Sequence, residues 1–408
     1  MRPKTAVGLL LAWALVLVGC SSGNGQPDSV MLNVIMADDW ASTEPVTAAI
    51  RSFEQDHPGV QVRMEGLPFA QIADAVRSRM ASGASVDVAQ WHAFAAAGLG
   101  IAEPLDDLWD QHLDPAEFVP GAVEDVEWAG RLYGVPLDTN ALVLLTNADA
   151  LQRAGFTPSA LESVDELAEA VRAVAARDEF GLAFSNSSWS TYGLIRAHGG
   201  EVVEIADDGS ATFLLDSPEV VEAFTLMESL VADGAAAGAS TQDVSTDSFA
   251  LFQSGSSAMH LSGTWDVAAL LQSDVPWELE VIPLPMVEGR DAGTVIGGSS
   301  LFVPTGADHR ELAFEFMLHL TQPDVGLALA EQEGRIPTRL DVLEDPFFDS
   351  PVYATVRDAL PTASAMKLIA FPEASQAFSN AIQDVLTGTA GAREALEEAQ
   401  RIAREAEG

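Results

Sequence analysis

The chain has 408 residues, 48% of them hydrophobic, and a formal net charge of −41. That charge repels nucleic acid phosphates and anionic lipid headgroups, which excludes both as partners. The hydrophobic share is too high for a disordered chain, and the length exceeds what one compact core organises, so two domains are expected.

Residues 1–19 read as a segment outside the fold. Arg2 and Lys4 give a positive start, and Ala6 to Val18 is apolar apart from Gly8. Small residues then precede a cleavage point, the layout of a secretory signal. The apolar stretch falls short of the roughly 20 residues a spanning helix needs. Leu17-Val18-Gly19-Cys20 resembles the bacterial lipobox, in which the cysteine thiol is acylated and becomes the new N-terminus. Cys20 is the single cysteine of the chain, so no intrachain disulfide can form. Residues 20–30 are then a lipidated polar tether. The alternative is a plain signal peptide with an incidental cysteine.

Val30 to Ala37 reads as a buried strand. Ser42 or Thr43 can cap the next helix, with Pro45 in its first turn. Val46, Ala49, Ile50 and Phe53 fall at i, i+3, i+4, i+7, and His57-Pro58-Gly59 stops the helix. Val60, Val62 and Met64 alternate with polar residues as in a strand. This strand–helix–strand unit implies a parallel sheet with a right-handed crossover. A helix carrying Ile72, Val76 and Met80 follows, and a short strand ends at Asp87-Val88-Ala89. Ser163 and Glu166 form a capping box before Leu167, Val171 and Val174. Ser217-Pro218 opens a helix with Val221, Phe224 and Val231 inward. Phe302-Val303-Pro304 is strand-like and precedes a helix with Leu312, Phe316 and Leu320. Gly391 to Glu407 is helical, with Leu396, Ala399 and Ile402 on one face. Helices alternating with short apolar strands define an α/β fold.

Motifs for chemistry are missing from this sequence. There is no P-loop, and Glu103 stands where a dinucleotide fingerprint beginning at Gly98-Leu99-Gly100 needs glycine. No Gly-x-Ser-x-Gly elbow occurs. The seven histidines are scattered, with no zinc or calcium spacing, so neither metal nor cofactor is expected. Asp38-Asp39 and Asp106-Asp107 are acid pairs, but 61 acids produce such pairs by chance. A binding protein is expected rather than an enzyme; a secreted carbohydrate-active hydrolase is the alternative from another class.

Tryptophans carry the stronger signal. Trp40 follows the first strand beside Asp38 and Asp39, and Trp91-His92 sits just past the Asp87 strand. Trp189 lies in the polar loop Ser185 to Thr191, and Trp265-Asp266 follows Gly263-Thr264. In open α/β sheets, ligands bind beyond the carboxyl ends of strands. An aromatic face attracts polarised C–H groups of a sugar ring, and nearby carboxylates and amides accept from hydroxyls. Aromatic platform plus carboxylate is the chemistry of a polyol site. Packing in the core or rim is the alternative for each ring, and Trp109 and Trp277 are assigned to packing.

Several motifs then resemble one family. Phe53-Glu54-Gln55-Asp56-His57-Pro58-Gly59-Val60 is similar to its "F-E-x-x-x-P-G-I/V", Ser85-Val86-Asp87-Val88 to "P-D-V", and Leu99 to Leu108 to "G-x-L-x-P-L-D-D-L". Leu132-Tyr133-Gly134-Val135-Pro136 resembles "Y-G-V/I-P", and Asn147 takes the place of the "Y-N-K" asparagine. Phe252 to Met259 with Gly263-Thr264-Trp265 resembles "F-x-x-G-K-A-A-M…G-x-W". Gly297-Gly298-Ser299, Ala313 to Phe316 and Leu320-Thr321 complete the series. In order and from about residue 32 onward, these resemble the extracellular solute-binding proteins of ATP-driven importers, the sugar-binding family that includes maltose-binding proteins. Two departures stand out. Leu144-Leu145-Thr146-Asn147-Ala148 lacks the family's aromatic pair, and Ser256 replaces a lysine, so a particular sugar does not carry over.

The resemblance implies a two-lobe periplasmic-binding-protein fold of type II, each lobe a mainly parallel sheet flanked by helices, with a ligand cleft between lobes. The lobes would comprise residues 31–139 plus 287–337 and residues 140–286 plus 338–408, with crossovers near 139–142, 283–287 and 337–341. Positions on the family's ligand loops are Asp38, Asp39, Trp40, Phe69, Trp91, His92, Asp138, Thr139, Asn140, Trp189, Trp265, Asp266, Gly298, Ser299 and Arg335. Arg335 would meet a carboxylate, a phosphate or a sugar hydroxyl, or pair with an acid; Asp138 would bind ligand or cap a turn. The implied partners are a small molecule and the permease subunits of an ABC transporter, met by a monomer that touches the membrane through its anchor alone. Acids outnumber Arg335 at these positions, which favours a neutral di- or oligosaccharide. A glycerophosphodiester, polyamine or peptide is the alternative within the binding class.

Overall fold

The computed structural model describes residues 29–177, 179–206, 208–238 and 244–407. Cys20 and the expected signal and tether up to residue 28 lie outside the described residues.

The first sheet is built from β1 (Val30–Ala37), β2 (Val60–Leu67), β3 (Val88–Trp91) and β4 (Gly134–Ala141). The second contains β5 (Val143–Asn147), β6 (Leu182–Ala183), β7 (Ala236–Ala237), β8 (Met259–Ser262) and β9 (Leu279–Pro283). The chain then returns to the first sheet through β10 (Thr294–Phe302), β11 (Ile336–Pro337) and β12 (Ala363–Ser364). The first sheet has the order β11-β4-β10-β3-β1-β2, with β12 paired to β10, and the second has the order β7-β6-β8-β5-β9.

The opening β-α-β unit follows from its apolar spacing. Val46, Ala49 and Phe53 of helix Glu44–Asp56 are buried against the first sheet, and β1 pairs with β2 in parallel. Full burial of a side chain such as Val46 or Phe53 contributes about 1.5–3 kcal/mol. Helix Val164–Ala175 begins with the expected capping box: Glu166 N–H donates to Ser163 Oγ at 3.2 Å, and Ser163 N–H donates to the Glu166 carboxylate at 2.9 Å. In helix Pro218–Ala232, Leu230 is buried and Val231 only half-buried, a one-position shift from the expected face.

Three expectations need correction. The strand near Asp87 starts rather than ends there: Asp87 side-chain oxygens take the Asn33 N–H at 2.8 Å, and the strand runs on through Trp91. Trp189 is not in a loop but in the first turn of helix Ser188–Ala197, because Ser187 Oγ caps that turn by accepting from Ser190 N–H. Each sheet is mixed rather than mainly parallel. β10 runs antiparallel to both β3 and β4, and β5 is antiparallel to both its neighbours. The cause is connectivity: β4 leads out of the first sheet and β10 leads back, so the two lie side by side in opposite directions.

β4 and β5 are separated by Leu142 alone, so the chain changes sheet within one residue. Two large apolar clusters pack around the two sheets, and a third, holding Ala141, Val143, Ile296 and Ile336, sits where they meet. Among the described residues, no helix is long and apolar enough to cross a membrane.

Candidate ligand-binding cleft

A cleft of about 920 Å³ opens between the two sheets. One wall comes from the short helix Asp38–Ala41 after β1, the end of β3, and β4 and β10; the other comes from helix Ser188–Ala197, Trp265 and the segment Ala365 to Ser379.

The pairing of β10 with β4 shapes the first wall. Ser299 sits opposite Asp138 but Ser300 opposite Pro136, so the register slips by one residue. Such a bulge bends the strand and re-aims its side chains. Gly298 is what permits it. Its φ is +111°, and a Cβ there would lie 2.3 Å from the Asp138 carbonyl oxygen.

A hydrogen-bonded chain runs along this wall. Ala37 N–H donates to Gln90 Oε1 at 2.9 Å, Gln90 Nε2 donates to Ser299 Oγ at 2.8 Å, and Ser299 Oγ donates to Asp138 Oδ1 at 2.6 Å. A second chain lies alongside. Ala93 N–H donates to Ser300 Oγ at 2.8 Å, Ser300 Oγ donates to Asp125 Oδ2 at 2.8 Å, and His92 Nδ1 meets Asp125 Oδ1 at 2.7 Å.

Burial pushes the Asp138 carboxyl up to about 6, with Asp125 adding repulsion, while Arg335 and the Ser299 hydroxyl draw it down. Burial pulls the His92 imidazole down, but the Asp125 charge and hydrogen bond, with Asp138 behind them, outweigh it and leave the group raised.

The remaining expected residues divide cleanly. Arg335 pairs with Asp39, and its guanidinium lies 4.9 Å from the Trp40 ring centroid. Phe69 meets the His92 ring edge-on at 5.5 Å. Trp189 and Trp265 pack at 5.2 Å between centroids, and Trp189 Nε1 donates to the Ile296 carbonyl at 2.9 Å. These residues line the cleft together with Trp91, Asp138, Gly298 and Ser299.

Four expected residues are not among its lining. Asp38 is exposed and accepts from Asp39 N–H at 3.0 Å. Thr139 is fully buried behind the wall with its hydroxyl unpartnered. Asn140 donates to Thr264 Oγ1 at 2.7 Å, and Thr264 donates to the Gly334 carbonyl at 2.8 Å, a polar link where the sheets meet. Asp266 accepts from Ser262 Oγ at 2.6 Å and faces His260 Nε2 at 3.1 Å. Trp109 is packed in the core with its N–H on the Gly134 carbonyl, and Trp277 packs against Phe252.

Other lining residues carry no expectation from sequence. Gln90 is brought to the cleft by the pairing of β3 with β10, and Asp125 is held there by its hydrogen bonds with His92 and with Ser300 behind the lining. Pro372, Ser375, Gln376 and Ser379 do leave a readable trace: they fall at i, i+3, i+4, i+7 on helix Pro372–Thr387 and give the second wall a polar stripe.

Two sheets with a polar, aromatic cleft between them define a two-lobe binding protein. The chain belongs to the bacterial extracellular solute-binding protein family, whose profile matches residues 48–355. Its members bind solutes rather than transform them, and the family places the chain outside the cytoplasm. The chain is 23% identical to the galactooligosaccharide-binding protein of Bacillus subtilis (strain 168), over 99% of this chain and 97% of that one. Its fold is similar to the GacH receptor of Streptomyces glaucescens, solved unliganded and with acarbose: TM-score 0.79, 21% identity, 93% of this chain and 98% of that one. It is also similar to UgpB from Mycobacterium tuberculosis in complex with glycerophosphocholine: TM-score 0.78, 21% identity, 91% and 97% covered.

Proposed function

We propose that this chain captures a di- or oligosaccharide in the cleft and delivers it to the permease of an ABC transporter. The observation that carries the reading is the Trp189–Trp265 pair on one wall, facing an opposite wall of amide, hydroxyl and carboxylate groups with Trp40 and Trp91. Indole faces suit the C–H surfaces of sugar rings, and Gln90, Ser299 and Asp138 suit their hydroxyls. The relative named for galactooligosaccharides points the same way.

Capture works by closure. A ligand touching both walls binds the closed arrangement better and shifts the population toward it. The turning points in this reading are the segments near 139–142, 283–287 and 337–341. A lipid on Cys20 would hold the protein beside its permease, with residues 20–30 as slack, and the protein works as a monomer.

A glycerophosphodiester is the second reading, favoured by Arg335 in the cleft and by the fold shared with UgpB. Against it, Arg335 is already paired with Asp39. A thermal-shift panel of neutral trisaccharides and glycerophosphocholine separates the two. A ligand at 100 times its Kd stabilises by about 2.7 kcal/mol. A shift with saccharides supports the first reading; a shift with glycerophosphocholine alone replaces it by the second.

A further inference from the structure

The acidic and basic side chains of the cleft pair off one to one, with a single remainder. Arg335 is held by Asp39, His92 by Asp125 at 2.7 Å, and Arg77 lies 3.7 Å from Asp74. All six line the cleft. Asp138 is the fourth acid of the lining, and among the described residues it has no cation within 4 Å.

Asp138 is also largely cut off from water, with 8% of its surface exposed, as little as Asp125, which has His92 against it. Its one side-chain hydrogen bond comes from Ser299, whose own hydroxyl is oriented by Gln90. The groups facing it leave it short of positive charge. Arg335 attracts it from a distance while bound to Asp39, Asp125 repels it, and His92 is turned to Asp125. Burying a carboxylate without a charged partner is costly, and a cation brought in by a ligand would relieve that cost.

Building on the carbohydrate reading, we propose that the saccharide bound in the cleft carries a basic nitrogen, protonated at neutral pH, whose N–H groups donate to the Asp138 carboxylate. An ammonium gives a charge-assisted hydrogen bond, stronger than a hydroxyl can give to the same oxygen. It also completes the charge pairing of the cleft and meets indole faces, which attract cations. A hydroxyl at that position would leave the carboxylate charge uncompensated.

The test uses matched pairs that differ in one group, NH3+ in place of OH: glucosamine against glucose, galactosamine against galactose, and the β-1,4-linked glucosamine trimer against cellotriose. Affinities are measured by calorimetry at pH 7 on the full protein and on Asp138→Asn, which can still accept from Ser299. The expected result is at least tenfold tighter binding of an amine member than of its partner. That advantage shrinks below twofold in D138N. The unfolding midpoint of ligand-free D138N reports folding, and the wild-type advantage measured at pH 5 gives an independent check, since protonated Asp138 loses its pull. Equal binding within a pair, or an advantage that survives in D138N and at pH 5, overturns the inference and leaves the carbohydrate reading standing. Failure of every saccharide to bind removes the carbohydrate reading and the inference with it.

Discussion

The indole N–H of Trp189 donates to the main-chain oxygen of Ile296 at 2.9 Å, tying the first turn of a helix beside the second sheet to a strand of the first. Gly297 lies under the ring, where a Cβ would come within 2.9 Å of Trp189 Cζ2. The ring therefore rests on bare backbone, with one edge hydrogen-bonded and one face turned to Trp265. Trp189→Phe keeps an aromatic face but loses the donor that fixes the ring on Ile296, so the fold should lose the roughly 0.5–1.5 kcal/mol of one hydrogen bond and ligand affinity should fall less than tenfold, through a less firmly held platform. Trp189→Ala removes the platform too and should cost more than tenfold. Calorimetric titration of both variants with the same saccharide checks the order; equal losses would mean that the hydrogen bond alone matters.

Asp138 makes stability depend on pH with a definite sign. Its carboxyl is raised from the ordinary 3.8 to about 6. Below pH 3.8 it is protonated in folded and unfolded chains alike and costs nothing. As pH rises from 3.8 to 6 the unfolded chain releases its proton first, so stability falls. Above 6 the loss is complete, at most about 3 kcal/mol. Asp138→Asn escapes this loss. Urea unfolding should show D138N more stable than the wild type at pH 7.5 by about 1–3 kcal/mol, with the gap closing near pH 4. A constant gap between the two pH values would exclude titration of Asp138 as its source.

Much of this was legible in the sequence, and what was not has a physical cause. The first β-α-β unit could be read because its signals are local: apolar spacing at Val46, Ala49 and Phe53, and a stop at His57-Pro58-Gly59. The aromatic side of the cleft was legible because Trp40, Trp91, Trp189 and Trp265 all lie at the ends of elements. The polar side was legible only in part: Asp39, His92, Asp138, Ser299 and Arg335 were expected and line the cleft, but Gln90 and Asp125 were not. Gln90 reaches Ser299 across 209 residues and Asp125 reaches Ser300 across 175, through strand pairings that no local pattern encodes. Asp266 shows the converse. Its neighbour Trp265 made it look like a ligand residue, yet one helical turn points it at Ser262 and His260 instead.

Gly298 should tolerate no side chain. Its φ of +111° is strained for any L-residue, and the nearest atom to an added Cβ is backbone, the Asp138 carbonyl oxygen, which cannot swing away. Strain alone costs roughly 1–3 kcal/mol. Because the clash falls on Asp138, Gly298→Ala should weaken ligand binding as well as lower the unfolding midpoint. A midpoint unchanged from wild type would show that the bulge can relax.

Arg335 is the cation that draws the Asp138 carboxyl down, although it is paired with Asp39. Arg335→Gln should therefore raise the Asp138 titration above about 6, readable from carboxyl carbon shifts by NMR. The same variant frees Asp39 and leaves two cleft acids unpaired. Any preference for a cationic ligand should then grow rather than shrink, which separates this arginine from one that binds an anionic group directly.

Closure gives the sharpest test of the mechanism. The cleft of about 920 Å³ lies between walls that share few covalent connections, one of them the single residue Leu142 between β4 and β5. A ligand that bridges Asp138 on one wall and Trp189 on the other gains both contacts only when the walls approach. Bound protein should thus be more compact, and small-angle scattering should show a smaller radius of gyration with ligand. Trp189→Ala removes one side of the bridge, so it should reduce the compaction at saturating ligand as well as the affinity. Full compaction in that variant would show that Trp189 holds the ligand without helping to draw the lobes together.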